Sequence, residues 1–328
     1  MKTKIVILSM IKNELDVLNL WIHHHSKIAD QFYIIDHMSS DGTHEALQNL
    51  RINGFNIKIF SYTNPGYFQK EVLTKVAKTI YEEQGDCWII PLDADEFLTL
   101  DTYNHFKEFC NSLTANSQVK LSWRNASPLI LEKKSRVSPY DLIIESNIDD
   151  PTYGKLMFHS SITTNDGFVV HQGAHGINVS GKSITISNKQ WPILHLPIRS
   201  ELQFTLKLFQ GVNAYIETNN KDSTKAKLGF HWFKMAEEIL LDRNATFDIM
   251  RSYIFHYGKS NVQTPKLSIG QLKARGWNLN SPFTMTPVFS SSKINYSETI
   301  KFINTTISNN TNEHIRVLGK RLLTLIES

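Results

Sequence analysis

Asp93-Ala94-Asp95-Glu96-Phe97 follows an apolar run, Cys87-Trp88-Ile89-Ile90-Pro91-Leu92. A continuous apolar run of that length reads as a buried strand, here delivering carboxylates to the edge of a sheet. On an extended backbone, residues i and i+2 point to the same side, so Asp93 and Asp95 would both address one hard cation. Mg²⁺ or Mn²⁺ held by one or two carboxylates and completed by substrate phosphates is the chemistry that suits such a pair. The alternative for the same residues is an acidic turn capping a helix that starts near Thr102.

Two other strand ends carry polar groups toward the same place. Asp36 closes a second apolar run, Phe32-Tyr33-Ile34-Ile35, where a carboxylate can accept hydrogen bonds from a ribose or a base. The Asp41-Gly42-Thr43 that follows suits a ligand contact and a helix-capping turn equally well. Lys12-Asn13-Glu14 ends the first run. Ligands of open α/β sheets bind outside the carboxyl ends of the strands, so three such ends imply one pocket. Farther on, Arg199, Gln203 and Lys207 are spaced by four and share one helix face. Ser200 and Gln203 form a capping-box pattern at the start of that helix. A helix N-terminus favours anions, so this face suits a diphosphate; the alternative is an ordinary solvated basic face. His23-His24-His25 cannot converge on one ion, because consecutive helical residues splay apart.

Hydrophobic periodicity supplies the elements that would position these groups. Strands are expected at Lys4–Met10, Gln31–Asp36, Asn56–Ser61 and Cys87–Leu92, with helices at Glu14–Lys27, Thr43–Leu50 and Gln69–Glu83 between them. That alternation implies an α/β fold with a mostly parallel sheet covered on both faces. Beyond Asp101 a helix is expected at Tyr103–Leu113. Short strands follow at Val119–Trp123, Lys155–Phe158, Phe168–His171, Ser183–Ile186 and Trp191–Pro197. Ser135–Pro151 and Leu267–Ser292 read as loops, and Arg199–Thr218 as a long helix. No repeat or linker marks a boundary; the division expected is a catalytic unit over 1–228 and a mainly helical extension over 229–328.

The chain has 328 residues, 41% hydrophobic and 20% charged, with a net charge of +4, so it can bury a sizeable core. The charge is too mild for nucleic acid but suits anionic substrates. Cys87 and Cys110 form no C-x-x-C pair and read as reduced, buried thiols. Lys12-Asn13-Glu14 interrupts the apolar N-terminus, which fits a first strand better than an export signal. No run approaches the ~18 apolar residues of a membrane span. A cytoplasmic protein is therefore expected, with the N-x-S/T triplets unglycosylated. Arg316, Lys320 and Arg321, among Ile315, Val317, Leu318 and Leu322, suggest either peripheral docking on an inner membrane face or a packed terminal helix.

Taken together, K-N-E after the first strand, W-x-x-H-H, Y-I-I-D-x-x-S-x-D-G-T and D-A-D-E-F resemble the GT-A glycosyltransferases of the family-2-like group, in particular the branch grouped with family 92. The resemblance is specific over Ile5 to Leu98; Trp191-x-x-Leu194-His195-x-Pro197-x-Arg199-Ser200-x-x-Gln203-x-x-x-Lys207 extends it. It implies a GT-A-type, Rossmann-like sheet and a nucleotide-sugar donor, most simply a UDP-sugar. The implied acceptor is a hydroxyl of a glycan or glycolipid, as in polysaccharide or lipopolysaccharide assembly. Lys12, Asn13, Glu14, Asp36, Asp41, Gln69, Asp93, Arg199, Gln203 and Lys207 would then face the donor. Asp93 and Asp95 would hold Mn²⁺ or Mg²⁺, with His175 or His195 as a further ligand. An inverting transfer needs a general base, for which Glu96, Asp166 and Glu201 are candidates; a retaining one need not. The competing readings are a nucleotidyltransferase, which would want a Gly-rich loop where Ser9-Met10-Ile11-Lys12-Asn13-Glu14 has none, and a non-catalytic carbohydrate- or nucleotide-binding protein.

Overall fold

The computed structural model describes residues 3–99, 103–128, 142–145, 154–180, 184–199, 201–221, 230–241, 249, 297–311 and 313–327. The first seven elements alternate as their periodicity dictates: β1 (Ile5–Ile11), α1 (Leu15–His25), β2 (Gln31–Asp36), α2 (Thr43–Ile52), β3 (Ile57–Ser61), α3 (Gln69–Gln84) and β4 (Trp88–Pro91). Every residue of β1 is buried, because helices cover both of its faces. β1 pairs in parallel with β2, which brings Ile11 beside Asp36, and with β4, which sets Leu8 against Pro91. β2 pairs in parallel with β3. The ends of β1, β2 and β4 therefore open on one edge.

The chain continues through β5 (Glu96–Leu98), α4 (Tyr103–Asn111), β6 (Ser117–Pro128), β7 (Leu142–Glu145), β8 (Gly154–His159), β9 (Val169–Val170), β10 (Ile177–Asn178) and β11 (Thr185–His195). The large sheet has the order β3-β2-β1-β4-β8-β6-β11-β5, with β7 added beside β6. β8 runs antiparallel to β4, pairing His159 with Trp88. Its first residues, Gly154 and Lys155, thus arrive at the edge where β4 ends. β11 pairs in parallel with β6 and antiparallel with β5. The architecture is α/β, a mostly parallel, Rossmann-like sheet flanked by helices.

Alternate residues of the central strands feed two cores. Ile5 and Ile7 pack with Leu18, Trp21 and Phe106 on one face. Val6 and Leu8 pack with Leu73, Ile80 and Phe158 on the other. A third cluster joins α5 (Glu201–Lys221), α6 (Phe230–Leu241), α7 (Ser297–Asn309) and α8 (Glu313–Glu327) through Phe204, Leu208, Val212, Ile239, Leu318 and Leu322. Ile315, Leu318 and Leu322 are buried in this cluster, so α8 spends its apolar face on packing. No helix among the described residues is long and apolar enough to cross a membrane.

Several expectations need correction. Ser183–Ile186 and Trp191–Pro197 are not two strands; Thr185–His195 forms one, irregular between Ile186 and Gln190. Ser135–Pro151 is not wholly a loop, since it contains β7. β5 has no counterpart among the expected strands because its three residues are too few to show a period. The long helix begins at Glu201, so Arg199 precedes it. Thr102, Ser200 and the 267–292 segment lie outside the described residues.

Candidate functional site

Asp93 and Asp95 do not lie on extended backbone. Glu96 N donates to Asp93 O at 3.1 Å, so the segment turns before β5 begins. The turn sends the two carboxylates to different partners, contrary to the expectation that they point together. Asp93, 39% exposed at its side chain, accepts from Lys155 Nζ at 2.7 Å. Asp95, 1% exposed, meets Lys207 Nζ at 2.5 Å and lies 3.9 Å from Arg199 Nη1 and 3.8 Å from His195 Nε2. Burial by itself would raise the Asp95 carboxyl, but Lys207 and Arg199 outweigh it and hold the group well below the usual range. Burial likewise pulls Lys207 down, and Asp95 and Glu14 more than restore its charge.

Lys155 was not singled out in the sequence. Its ammonium is buried beneath Asp93, also donates to Gly173 O at 2.9 Å, and stands 3.7 Å from Glu96. Burial lowers it, and Asp93 and Glu96 raise it above its ordinary value. The available signal was a single lysine at the head of the apolar run Leu156-Met157-Phe158.

Glu96 is fully buried and both of its oxygens are used. Oε2 accepts from Asp93 N at 2.8 Å and Oε1 from Trp123 Nε1 at 2.6 Å. Burial pushes its carboxyl up to about 8, partly offset by Lys155. Glu96 therefore fixes the turn and the indole, a different task from meeting an acceptor hydroxyl. Asp166 sits in an exposed turn after β8, at the far edge of the sheet from Asp93. The side chain of Glu201 lies outside the described residues.

His195 stacks on Trp123 with ring centroids 4.5 Å apart. Burial pushes it down to about 4, so it is a neutral imidazole at physiological pH, the form that binds metals. His175 meets Trp123 edge-on, with ring centroids 5.4 Å apart, and donates from Nδ1 to Gly154 O at 2.6 Å. The structure thus brings His195 to Asp95 and holds both imidazoles against the Trp123 indole.

The remaining expected contacts divide sharply. Asp36 lies buried at the end of β2, accepting from His44 Nδ1 at 3.0 Å and Ser39 N at 3.2 Å. Lys12 stands beside it, lowered to about 8 by burial that Asp36 only partly offsets. Asp41, however, is used up by helix ends: Oδ1 accepts from Thr43 N and Oδ2 from Leu15 N. Asn13 holds the loop after β2, its Oδ1 accepting from Ser40 N at 2.6 Å. Gln69 Oε1 accepts from Gly173 N and Tyr67 Oη.

Arg199 is buried in a bidentate pair with Asp16, at 2.6 and 2.8 Å, and donates to Glu14 Oε2 at 2.6 Å. Burial raises the Glu14 carboxyl to about 7 against the pull of Arg199. Gln203 Oε1 accepts from Arg199 N, fastening the start of α5. Arg199 and Gln203 therefore tie α5 to α1, and Lys207 is the cation of that face left at Asp95. Asn13, Met38 and Ala174 all have positive φ, near 54°, 57° and 53°. Left-handed backbone at Met and Ala costs roughly 1–2 kcal/mol, and such strain concentrates at functional edges.

No family model matches the chain, and no curated protein matches it either. Among solved structures it is similar to a 4-diphosphocytidyl-2C-methyl-D-erythritol synthase from Anaerococcus prevotii, at 12% identity, covering 49% of this chain and 72% of that one, with a TM-score of 0.29. It is also similar to mannose-6-phosphate isomerase from Helicobacter pylori, at 9% identity, covering 58% and 97%, with a TM-score of 0.32. Likeness at this level carries no argument about activity.

Proposed function

We propose that this chain is a glycosyltransferase that moves a sugar from a nucleoside-diphosphate donor, a UDP-sugar, to a hydroxyl of a glycan or glycolipid. The observation that carries the reading is one sheet edge where Asp36 at the end of β2 and Asp93 and Asp95 after β4 lie together, with Lys155 paired to Asp93 and Lys207 to Asp95. The resemblance of its K-N-E, Asp36 and D-A-D-E-F segments to GT-A glycosyltransferases supports the same reading. Residues 1–228 would hold the site, and 229–328 would brace α5 from outside.

Asp36 would accept hydrogen bonds from the nucleoside, with Lys12 beside it. As the bond from sugar to phosphate breaks, negative charge grows on the departing diphosphate. Fixed ammonium groups in a water-poor site stabilise that charge strongly. Lys207 would serve this task, and Lys155, paired with Asp93, would keep that carboxylate at the opening. No general base is assigned, because Glu96 is enclosed and Asp166 is remote.

A divalent cation at this edge would depend on the donor for most of its ligands. Among the described residues no group of three His, Cys, Asp or Glu side chains is placed to hold a metal ion by itself. Asp95 and the neutral His195 would supply two ligands, and the donor's phosphates the rest, as is usual for Mg²⁺. Mn²⁺ or Mg²⁺ would there add positive charge to an edge whose carboxylates and cations already balance.

UDP with Mn²⁺ is expected to raise the melting temperature of the wild-type protein by several degrees. Asp93→Asn, which removes the carboxylate charge but keeps an oxygen acceptor for Lys155, is expected to lose some stability and most of that rise. A wild-type protein indifferent to every nucleoside diphosphate would sink the reading.

A further inference from the structure

Gln210, on α5, has a buried amide with no partner. The residue is 9% exposed, and no described group accepts from its Nε2. Buried side-chain amides are almost always paired, and one that is not carries a desolvation penalty unless something outside the chain satisfies it.

Its place on the helix says where the amide faces. At 3.6 residues per turn, Gln210 is one turn beyond Lys207 and two beyond Gln203, on the same side. Lys207 reaches Asp95. Farther along that side, Thr218 Oγ1 accepts from Tyr67 N at 2.6 Å, where the chain leaves β3 for α3. Phe204, Leu208 and Val212 on the opposite side, together with Leu206 and Phe209 at the flank of Gln210, are committed to the third core. Gly211 is turned toward Trp232 on α6. Between its two anchors α5 thus spans the edge from Asp95 to Tyr67, and Gln210 lies on the spanning face. A second orphaned amide, Gln172 Nε2, lies in the loop whose next residue, Gly173, bonds to Gln69 and Lys155.

We propose that Gln210 binds the donor directly, its Nε2 donating a hydrogen bond to an oxygen of the nucleoside diphosphate one helical turn from the Lys207 ammonium. The inference rests on the glycosyltransferase reading and adds to it a residue that none of the sequence motifs contains. It also explains why an amide stands at a position that an apolar side chain would fill without penalty.

Gln210→Met, which keeps the length of the side chain and removes the donor, separates the two roles an amide can have. Two measurements suffice: thermal unfolding without ligand, and calorimetric titration with UDP in the presence of Mn²⁺. The ligand-free melting temperature is expected to stay the same or rise. The dissociation constant for UDP is expected to weaken roughly ten- to a hundredfold, the size of one lost hydrogen bond to a charged group. A lower ligand-free melting temperature would reveal a structural partner and overturn the inference, as would unchanged UDP affinity. Absence of UDP binding by the wild-type protein removes the functional reading and the inference together, a failure seen before any variant is made.

Discussion

At the residue scale, most polar groups at the strand ends turn out to be tied to one another. Asp41 and Thr43 illustrate this. Asp41 accepts from the first amide of α1, and Thr43 Oγ1 accepts from Glu14 N at 2.9 Å, so the residues that lead into α2 cap the start of α1. A turn motif in sequence looks the same whether its side chain caps a neighbouring helix or a ligand, which is why Asp41 was ambiguous. Arg199 carries the largest energetic consequence. Removing one partner of a buried ion-pair network leaves the other charges uncompensated, at a cost of ~3–5 kcal/mol. Arg199→Leu is expected to lose that much in urea unfolding, since Asp16 and Glu14 would be left facing a hydrocarbon. A midpoint unchanged from wild type would show that the network adds no net stability.

At the element scale, the W-x-x-H-H segment of α1 acts as a backbone clamp for β5. Trp21 Nε1 donates to Glu96 O at 2.9 Å, and His24 Nε2 to Leu98 O at 2.8 Å. Leu98 N in turn donates to His25 Nε2 at 3.2 Å, while His25 Nδ1 donates to Trp21 O. His25 must be neutral to accept from Leu98 N while donating to Trp21 O. Burial pushes His24 down to about 4 and His25 well below its ordinary value. An unfolded histidine titrates near 6.5, so between about 6.5 and 4 the unfolded chain takes up protons that the folded clamp refuses. Stability from these groups is thus complete above 6.5 and lost as pH falls. Glu96 and Glu14, raised to about 8 and 7, act in the opposite sense, gaining protons in the folded state first. A comparison with His25→Gln isolates the histidine. The stability difference between wild type and variant is expected to shrink by up to ~1.4 kcal/mol per pH unit from 6.5 downward. A difference that stays constant over pH 7 to 5 would mean that His25 is not held neutral.

At the scale of the whole molecule, α5 is braced from outside by the C-terminal helices. α8 packs through Leu318 and Leu322 on the outer side of α5, whose inner side carries Lys207 and Gln210. Leu318→Ala is expected to cost ~2–5 kcal/mol in stability and also to weaken UDP binding, because α5 would settle differently over the edge. Unfolding of α8 in a separate, earlier transition that leaves UDP affinity untouched would argue against this coupling. The alternation of apolar and polar runs up to Leu92 determined the parallel half of the sheet, because period-2 and period-3.6 burial are local properties of a chain. It also put Asp36, Asp93 and Asp95 at strand ends on a common edge. Only the tertiary structure decided which of these carboxylates meets which cation. Lys155 comes from an antiparallel strand 62 residues beyond Asp93, and Lys207 from a helix 112 residues beyond Asp95. Pairing across such distances follows from strand order and helix packing, neither of which leaves a periodic trace in the sequence.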